Sequence, residues 1–252
     1  MMGATMRSVG LDPALEAGGG GSHSMLADTA SSQAAGLPIE AVLGVDLGQV
    51  AALAPLTSGG PEGWQLLVKR LMDVAVALVL LLLVLPVLIV ASVGVKLSSP
   101  GPVLFRQTRV GRGGSTFTML KFRTFPIDHV DRVVAVSLHD CPLRWGRLLR
   151  RTSIDELPQL LNVLRGEMSV VGPRPERPQF AEPLARTIPE YRERHRAPVG
   201  LTGHSQIKGL VGTTSIESRV AADNEYIDQW SLGRDVRILA RTVPAVIRKT
   251  RR

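Results

Sequence analysis

The sequence predicts a mixed α/β fold of the α+β kind, rich in helix, entered through an apolar membrane helix and preceded by a polar tail. Three observations carry this. Residues 74–95 hold no charge over 22 positions. Two alternating segments flank a glycine cluster in "VLFRQTRVGRGGSTFTMLKFRTF", the pattern of a β-hairpin. Beyond residue 141 the apolar positions fall mostly at helical spacing between Gly and Pro stops. The expected boundaries are 1–63 for the tail, 64–97 for the membrane helix and 98–252 for the folded domain.

Residues 1–63 are rich in Gly, Ala and Ser, include "AGGGGS", and read as a disordered, low-complexity tail. One weakly amphipathic piece in it, "IEAVLGVDLGQVAALAPL", is suited to docking or to a short helix. The first 25 residues show no apolar run behind a basic start, so no secretory signal is expected. Charge is uneven. Residues 1–68 hold one basic and six acidic residues, net −5; the rest holds 29 basic and 16 acidic residues, net +13. A domain so basic wants an anionic partner: nucleic acid, anionic lipid or a phosphorylated substrate. Only 4% of residues are aromatic, which leaves little for base stacking, and no helix-turn-helix is visible. Nucleic acid is therefore not an expected partner. With a single cysteine, Cys141, no internal disulfide forms.

The apolar run is long enough to span a bilayer, which takes about 20 residues. Pro86 divides it into 12 residues before and 9 after. Proline removes a backbone donor and clashes with the preceding turn. Both flanks are basic: Lys69 and Arg70 precede the run, and Lys96, Arg106, Arg109 and Arg112 follow it. Basic flanks favour the cytoplasm, so a helix–break–helix that enters and leaves by one face satisfies both ends. A proline-kinked span is the alternative.

In the hairpin, "GRGGST" is no P-loop, since no Lys-Ser/Thr follows its glycines. Lys121 and Arg123 are two apart and would share a strand face. They form either a solvated basic edge or a pair of cations aimed at a phosphate.

The stretch "RRTSIDELPQLLNVLRGEMSVVGPRPERP" carries the chemistry. Ser153 to Glu156 fits a capping box, S-x-x-E, with Asp155 and Glu156 in the first turn of a helix. The same acids lie among Arg147, Arg150, Arg151, Arg165 and Arg174. A carboxylate among arginines stays ionised. Beside a divalent metal it can attack a phosphoryl group. Pro173 and Pro175 fix φ around Arg174 and hold it in extended backbone, which suits a planar fork for phosphate or carboxylate. A buried Arg174–Asp155 ion pair is the structural alternative.

Further on, "AEPLARTIPEYRERHRA" and "SIESRVAADNEYIDQWS" read as helices, and "GLTGHSQIKGLVG" as a glycine-rich loop. The last segment sets Leu232, Val236, Leu239, Val243 and Val246 at helical spacing among arginines. It is either a helix lying on an anionic membrane or a core helix with a basic outer face. His129, His139, His195 and His204 make no zinc pattern with Cys141. Of these, His204 most invites mutation.

Together these stretches resemble the bacterial sugar transferases of the polyprenyl-phosphate hexose-1-phosphate transferase type, the monotopic phosphoglycosyl transferases. The resemblance runs from about residue 65 to the C-terminus. Its carriers are "KRLMDVAVALVLL", "LSSPGPVLFRQTRVGRGGSTFTMLKFRT", "SIDELPQLLNVLRGEMSVVGPRP" and "GLTG". It implies transfer of a sugar-1-phosphate from a UDP-sugar to undecaprenyl phosphate with release of UMP, a first membrane step of exopolysaccharide, capsule, O-antigen or glycoconjugate synthesis. It implies Mg2+, with Asp155 as nucleophile and metal ligand and Glu156 as its partner. It implies phosphate or substrate contacts from Lys121, Arg123, Arg150 and Arg174, and a re-entrant helix broken at Pro86. The domain would lie on the cytoplasmic face of the inner membrane, against anionic lipid, with a homo-oligomer allowed. The departures are Leu85 before Pro86, where the family has Ser; Phe125 for Met; Val199 for Pro; His204 for an aromatic; and Leu210 for Arg. They bear on sugar or nucleotide preference. A catalytically silent homologue that serves as a membrane-bound assembly or regulatory partner is the competing expectation.

Overall fold

The computed structural model describes residues 53–126, 143–212 and 214–250. His129, His139 and Cys141 lie outside them. The elements are helix α1 (Trp64–Ser98), hairpin β1 (Leu104–Val110) and β2 (Thr116–Phe122), α2 (Arg144–Thr152), α3 (Gln159–Arg165), β3 (Ser169–Val171), α4 (Pro178–Thr187), β4 (Gly200–Thr202), the single turn α5 (His204–Ile207), α6 (Ile216–Asp228) and α7 (Leu232–Thr250). Short 3-10 turns, Ile154–Glu156 and Tyr191–His195, sit before α3 and before β4. The α+β, helix-rich expectation is met.

Helix α1 has 35 residues, about 52 Å at the ~1.5 Å rise per residue. It runs through Pro86 as one helix. The break expected there is absent as a change of secondary structure, and proline costs the helix one donor toward the preceding turn. By length and composition α1 is able to cross a membrane. Its middle is bare: Leu82 and Leu83 are 72% and 70% exposed, and Val79, Ile89 and Val90 are each more than half exposed. Its ends are not. Lys69, Asp73 and Ala77 are buried near one end, and Ala91 and Val95 near the other. Ala77 joins the main core of Met119, Leu160, Val163, Val170 and Ile238. Ala91 and Val95 join Phe122 and Leu149. At Gly94 the helix meets Trp145 so closely that an added Cβ would lie 2.1 Å from the indole.

A buried polar cluster fastens the first end. Lys69 Nζ lies 2.8 Å from Asp235 Oδ2 on α7. The Tyr226 hydroxyl donates to Asp235 Oδ1 at 2.6 Å. Asp73 Oδ1 accepts from Ser169 Oγ at 2.9 Å and from Val170 N at 3.0 Å, at the start of β3. Buried charges persist only when paired and hydrogen-bonded, and these are.

The hairpin pairs antiparallel, Leu104 with Phe122 through Val110 with Thr116. Its turn uses Gly113 at φ 66, which glycine adopts at little cost. The strands β3 and β4 pair in parallel. Gly200–Thr202, the start of the glycine-rich loop expected over "GLTGHSQIKGLVG", is thus a strand. Its glycines explain why: a Cβ on Gly200 would lie 2.1 Å from Gly172 N, so this backbone approach excludes side chains. The charged segment after Pro178 divides into α4 and the turn Tyr191–His195 rather than forming one helix. In α7 the buried face is Asp235 and Ile238, whereas Val236 and Val243 are 58% and 63% exposed. The expected apolar stripe is therefore split, with two of its valines outward beside Arg237 and Arg241.

Residues 53–63, placed within the tail by the sequence reading, lie against the domain. Leu53 is 1% exposed and packs with Val110, Ala181, Ile188, Tyr191 and Val220.

Candidate active site

Helix α2 ends at Ser153, whose φ of 60 makes it the one non-glycine residue with positive φ among the described residues. Such backbone costs of order 1–3 kcal/mol and is retained where surrounding contacts over-determine it. It reverses the chain into the 3-10 turn that carries Asp155 and Glu156. The capping box does not form. Ser153 makes no side-chain cap, and α3 begins only at Gln159, after Pro158. The acids therefore precede the helix rather than occupying its first turn.

Asp155 is buried, at 9% exposure. The carboxylate of Glu156 gathers two cations. Lys121 Nζ donates to its Oε1 at 2.9 Å. Arg174 forks onto it, Nη2 to Oε1 at 2.5 Å and Nη1 to Oε2 at 3.3 Å. The ion pair of Arg174, weighed above with Asp155, is made to Glu156. Burial alone would raise the Glu156 pKa, but Arg174 and Lys121 together hold it well below the usual carboxylate range. Glu156 is a fixed anion here, not a proton carrier. Burial lowers the Lys121 pKa, and Glu156 opposes it. The charge of Asp155 acts on both Lys121 and Arg174. The result is a buried carboxylate, Asp155, whose charge acts on two cations that a neighbouring carboxylate, Glu156, holds in place.

Each cation keeps capacity for a ligand. Arg174 uses two of the five guanidinium N–H donors on Glu156. Its side chain is 41% exposed, against 15% for Lys121. Lys121 is placed by Asn162 of α3, which is fully buried. Asn162 Oδ1 accepts from Leu120 N at 3.0 Å, and its Nδ2 donates to Thr118 O at 2.7 Å. One amide thus locks β2 against the helix that follows the acids.

Arg174 stands on an unusually well-bonded loop. Four consecutive carbonyls are satisfied: Pro173 O by Gly200 N at 2.8 Å, Arg174 O by Arg194 Nη2 at 2.9 Å, Pro175 O by Arg109 Nη1 at 3.1 Å and Glu176 O by Val110 N at 2.9 Å. Burial lowers the Arg109 pKa to about 10, with Glu176 opposing, and Arg109 remains charged at neutral pH. Beside the loop is a pocket of about 100 Å³ lined by Arg109, Arg174, Arg194, Arg219 and Leu210, among others.

One expected contact, Arg123, is bonded away from the Glu156 carboxylate. Arg123 follows the last residue of β2, so the strand alternation that would set it beside Lys121 has ended. Its guanidinium donates instead to Pro102 O at 2.8 Å, Ser99 Oγ at 2.6 Å and Ser99 O at 2.8 Å, where α1 turns into the hairpin. It is 3% exposed, and these bonds clamp the end of α1 to the hairpin. Arg150 lies 5.3 Å from the ring of Phe125. Sequence reasoning missed Arg109 and Arg194. Each is one arginine among many, and nothing in its local pattern sets it apart.

A larger cleft, about 500 Å³, lies among His204, Glu225, Arg234, Arg237 and Arg241. It contains none of Asp155, Glu156, Lys121 or Arg174. Burial lowers the His204 pKa, and this ring reaches Glu225 at 3.4 Å. No group of three His, Cys, Asp or Glu suited to a metal occurs among the described residues.

A family model described as bacterial sugar transferase matches residues 64–249. The chain belongs to the bacterial sugar transferase family. It is a phosphoglycosyl transferase. It is 48% identical over 211 residues to the UDP-glucose:undecaprenyl-phosphate glucose-1-phosphate transferase of Caulobacter vibrioides, covering 81% of this chain and 79% of that one. It is 43% identical over 197 residues to the protein of the same name from Escherichia coli, covering 76% of this chain but 42% of that longer one. It is 41% identical over 191 residues to the exopolysaccharide production protein PSS of Rhizobium leguminosarum, covering 71% of this chain and 94% of that one. In this transferase Leu210 lines the pocket beside Arg174, and Val199 is buried in the core. Of the departures noted above, Leu210 thus lies against Arg174, and Phe125 against Arg150.

Proposed function

We infer that this transferase moves a hexose-1-phosphate from a UDP-hexose to undecaprenyl phosphate and releases UMP. The observation that carries the reading is the buried Asp155 beside the Lys121–Glu156–Arg174 cluster. The C. vibrioides relative, covered over most of its length, makes UDP-glucose the first donor to test.

In the first step a carboxylate oxygen of Asp155 attacks the sugar-bearing phosphorus. The bond from that phosphorus to the bridging oxygen breaks, and UMP leaves with the electron pair. In the second step a phosphate oxygen of undecaprenyl phosphate attacks the same phosphorus. The aspartyl bond breaks, the carboxylate is regenerated, and undecaprenyl diphosphate sugar forms. One site thus serves a soluble donor and a lipid acceptor in turn. Lys121 and the free donors of Arg174 stabilise the equatorial oxygens as charge develops. Glu156, held ionised, keeps both cations beside Asp155. Magnesium is usually held by one or two carboxylates plus substrate phosphates. A single acid, Asp155, with the donor's diphosphate fits that pattern; the ion would supply charge neutralisation on those phosphates.

The bare middle of α1 lies between two ends buried in the same domain. A re-entrant path, with both flanks on the cytoplasmic face of the inner membrane, accommodates that arrangement. The outward valines and arginines of α7 suit the surface of an anionic bilayer.

The test uses purified protein with UDP-glucose, Mg2+ and polyprenyl phosphate. UMP release is expected from the wild type and is lost in Asp155→Asn, with labelled phosphosugar trapped on the wild type alone. Full activity in Asp155→Asn would end the nucleophile assignment. A folded wild type that releases no UMP from any UDP-sugar would favour a silent assembly partner.

A further inference from the structure

Residues 53–57 lie outside the family match at 64–249, yet they reach the support of the catalytic loop. Leu53 is buried against Val110 and Tyr191. Its carbonyl accepts a hydrogen bond from His195 Nδ1 at 2.9 Å. Burial lowers the His195 pKa to about 4, so at neutral pH the ring is uncharged and its one N–H is on Nδ1. Leu56 N donates to Glu193 Oε1 at 3.0 Å, and the Thr57 hydroxyl donates to Glu193 Oε2. The segment thus grips the turn Tyr191–His195 at both Glu193 and His195.

Between those two residues stands Arg194. Its side chain is 8% exposed, and its Nη2 pairs with Asp223 Oδ2 at 2.7 Å. It lies 5.3 Å from the Tyr191 ring and donates to Arg174 O at 2.9 Å. Val110, the other wall of the Leu53 pocket, donates its N–H to Glu176 O at 2.9 Å. Two of the four bonds that fix the Arg174 loop therefore come from residues that Leu53 and its neighbours hold.

We propose that residues 53–57 are a positioning strap for the active site. By fixing the Tyr191–His195 turn and Val110, they set the main-chain position of Arg174 through Arg194. The strap touches no reacting atom; Arg194 is a positioning residue and Leu53 its outer support. Loss of the strap leaves the loop its bonds from Gly200 and Arg109, so the fold survives while the clamp loosens. The proposal rests on the phosphotransfer reading for its kinetic consequence but not for its structural one.

The experiment uses the full chain in lipid nanodiscs, with Leu53→Ala, Glu193→Gln, Arg194→Lys and the conservative Leu53→Ile. Two readouts are taken: UMP release from UDP-glucose, and amide hydrogen exchange at Val110, whose N–H donates to Glu176 O, against that of strand β2. Leu53→Ala and Glu193→Gln should speed exchange at Val110 and spare β2. They should lower kcat/KM by roughly tenfold to a hundredfold, the scale of a misplaced positioning group. Leu53→Ile should restore both. Wild-type exchange at Val110 in both Leu53→Ala and Glu193→Gln overturns the proposal, as does exchange raised equally over the whole domain. A wild type that releases no UMP would sink the phosphotransfer reading instead, and the exchange data would still decide the strap.

Discussion

Glu156→Gln tests the idea that this carboxylate serves to hold two cations. The amide has nearly the same shape, so packing is preserved. Its oxygen still accepts from Lys121 and from one arm of Arg174, but its NH2 now faces the other arm, donor to donor. Hydrogen bonds to charged groups contribute about 1.5–3 kcal/mol each. The Lys121 bond keeps most of that, since both partners are less than one-fifth exposed. The Arg174 share is discounted to ~1 kcal/mol or less, because that side chain is 41% exposed. The total is about 3 kcal/mol, and a neutral acceptor retains roughly half of it. The expected loss is therefore about 1.5 kcal/mol, a fall in Tm of roughly 3–6 °C for a domain of this size. A second readout is specific to charge. Burial already lowers the Lys121 pKa, and only Glu156 and, more weakly, Asp155 raise it. Removing the Glu156 charge should move the alkaline limb of the UMP-release profile to lower pH. At the acid end the sign is opposite. Glu156 titrates well below the usual carboxylate range when folded, so its stabilisation is present above that range and lost as pH falls through the folded value. The variant should lose this part of its acid sensitivity. A variant with wild-type Tm and an unmoved alkaline limb would refute the cation-holding role.

Arg174→Lys keeps the charge but loses the fork and at least two donors, and should lower kcat/KM by roughly 10–150-fold, about 1.5–3 kcal/mol of transition-state binding. Activity within twofold of wild type would show that the fork does not matter. His195 should make the domain acid-sensitive. Its folded pKa of about 4 is below the ordinary 6.5, so stability is full above pH ~6.5 and falls by about 1.4 kcal/mol per pH unit toward 4. His195→Gln should flatten the Tm profile in that window, and an unchanged slope would count against a buried neutral ring. For topology, Ser58→Cys and Ser98→Cys in a Cys141→Ser background flank α1 on either side. Both should resist an impermeant thiol reagent in intact spheroplasts and react in inside-out vesicles. Labelling of only one from outside would establish a span.

What the sequence made legible was local. The hairpin was visible because alternation and a glycine turn sit within one short stretch. Asp155, Glu156 and Arg174 drew notice because acids among arginines and a proline-bracketed arginine are unusual at short range. The pairings were not legible. Capping chemistry drew Glu156 toward Ser153, yet Lys121 and Arg174, 35 and 18 residues away, claim it. Two charge-assisted partners outweigh one cap bond worth about 1 kcal/mol. Arg123 failed for a related reason. A period of two holds only while the strand lasts, and β2 ends at Phe122, so the next side chain answers to the α1 turn. The parallel pair of β3 and β4 was hidden because three-residue strands carry too little pattern to read. Their signal lies in glycines that a loop would use equally well. Arg194 shows the limit most clearly. Its neighbours Arg192 and Arg196 look the same in the sequence. What singles it out is a carbonyl 20 residues back and a carboxylate 29 residues ahead. Roles assigned by such long-range contacts become readable only once the chain has folded. Arg109 and Arg194, which fix the main chain of the Arg174 loop, are therefore residues that sequence reasoning passes over.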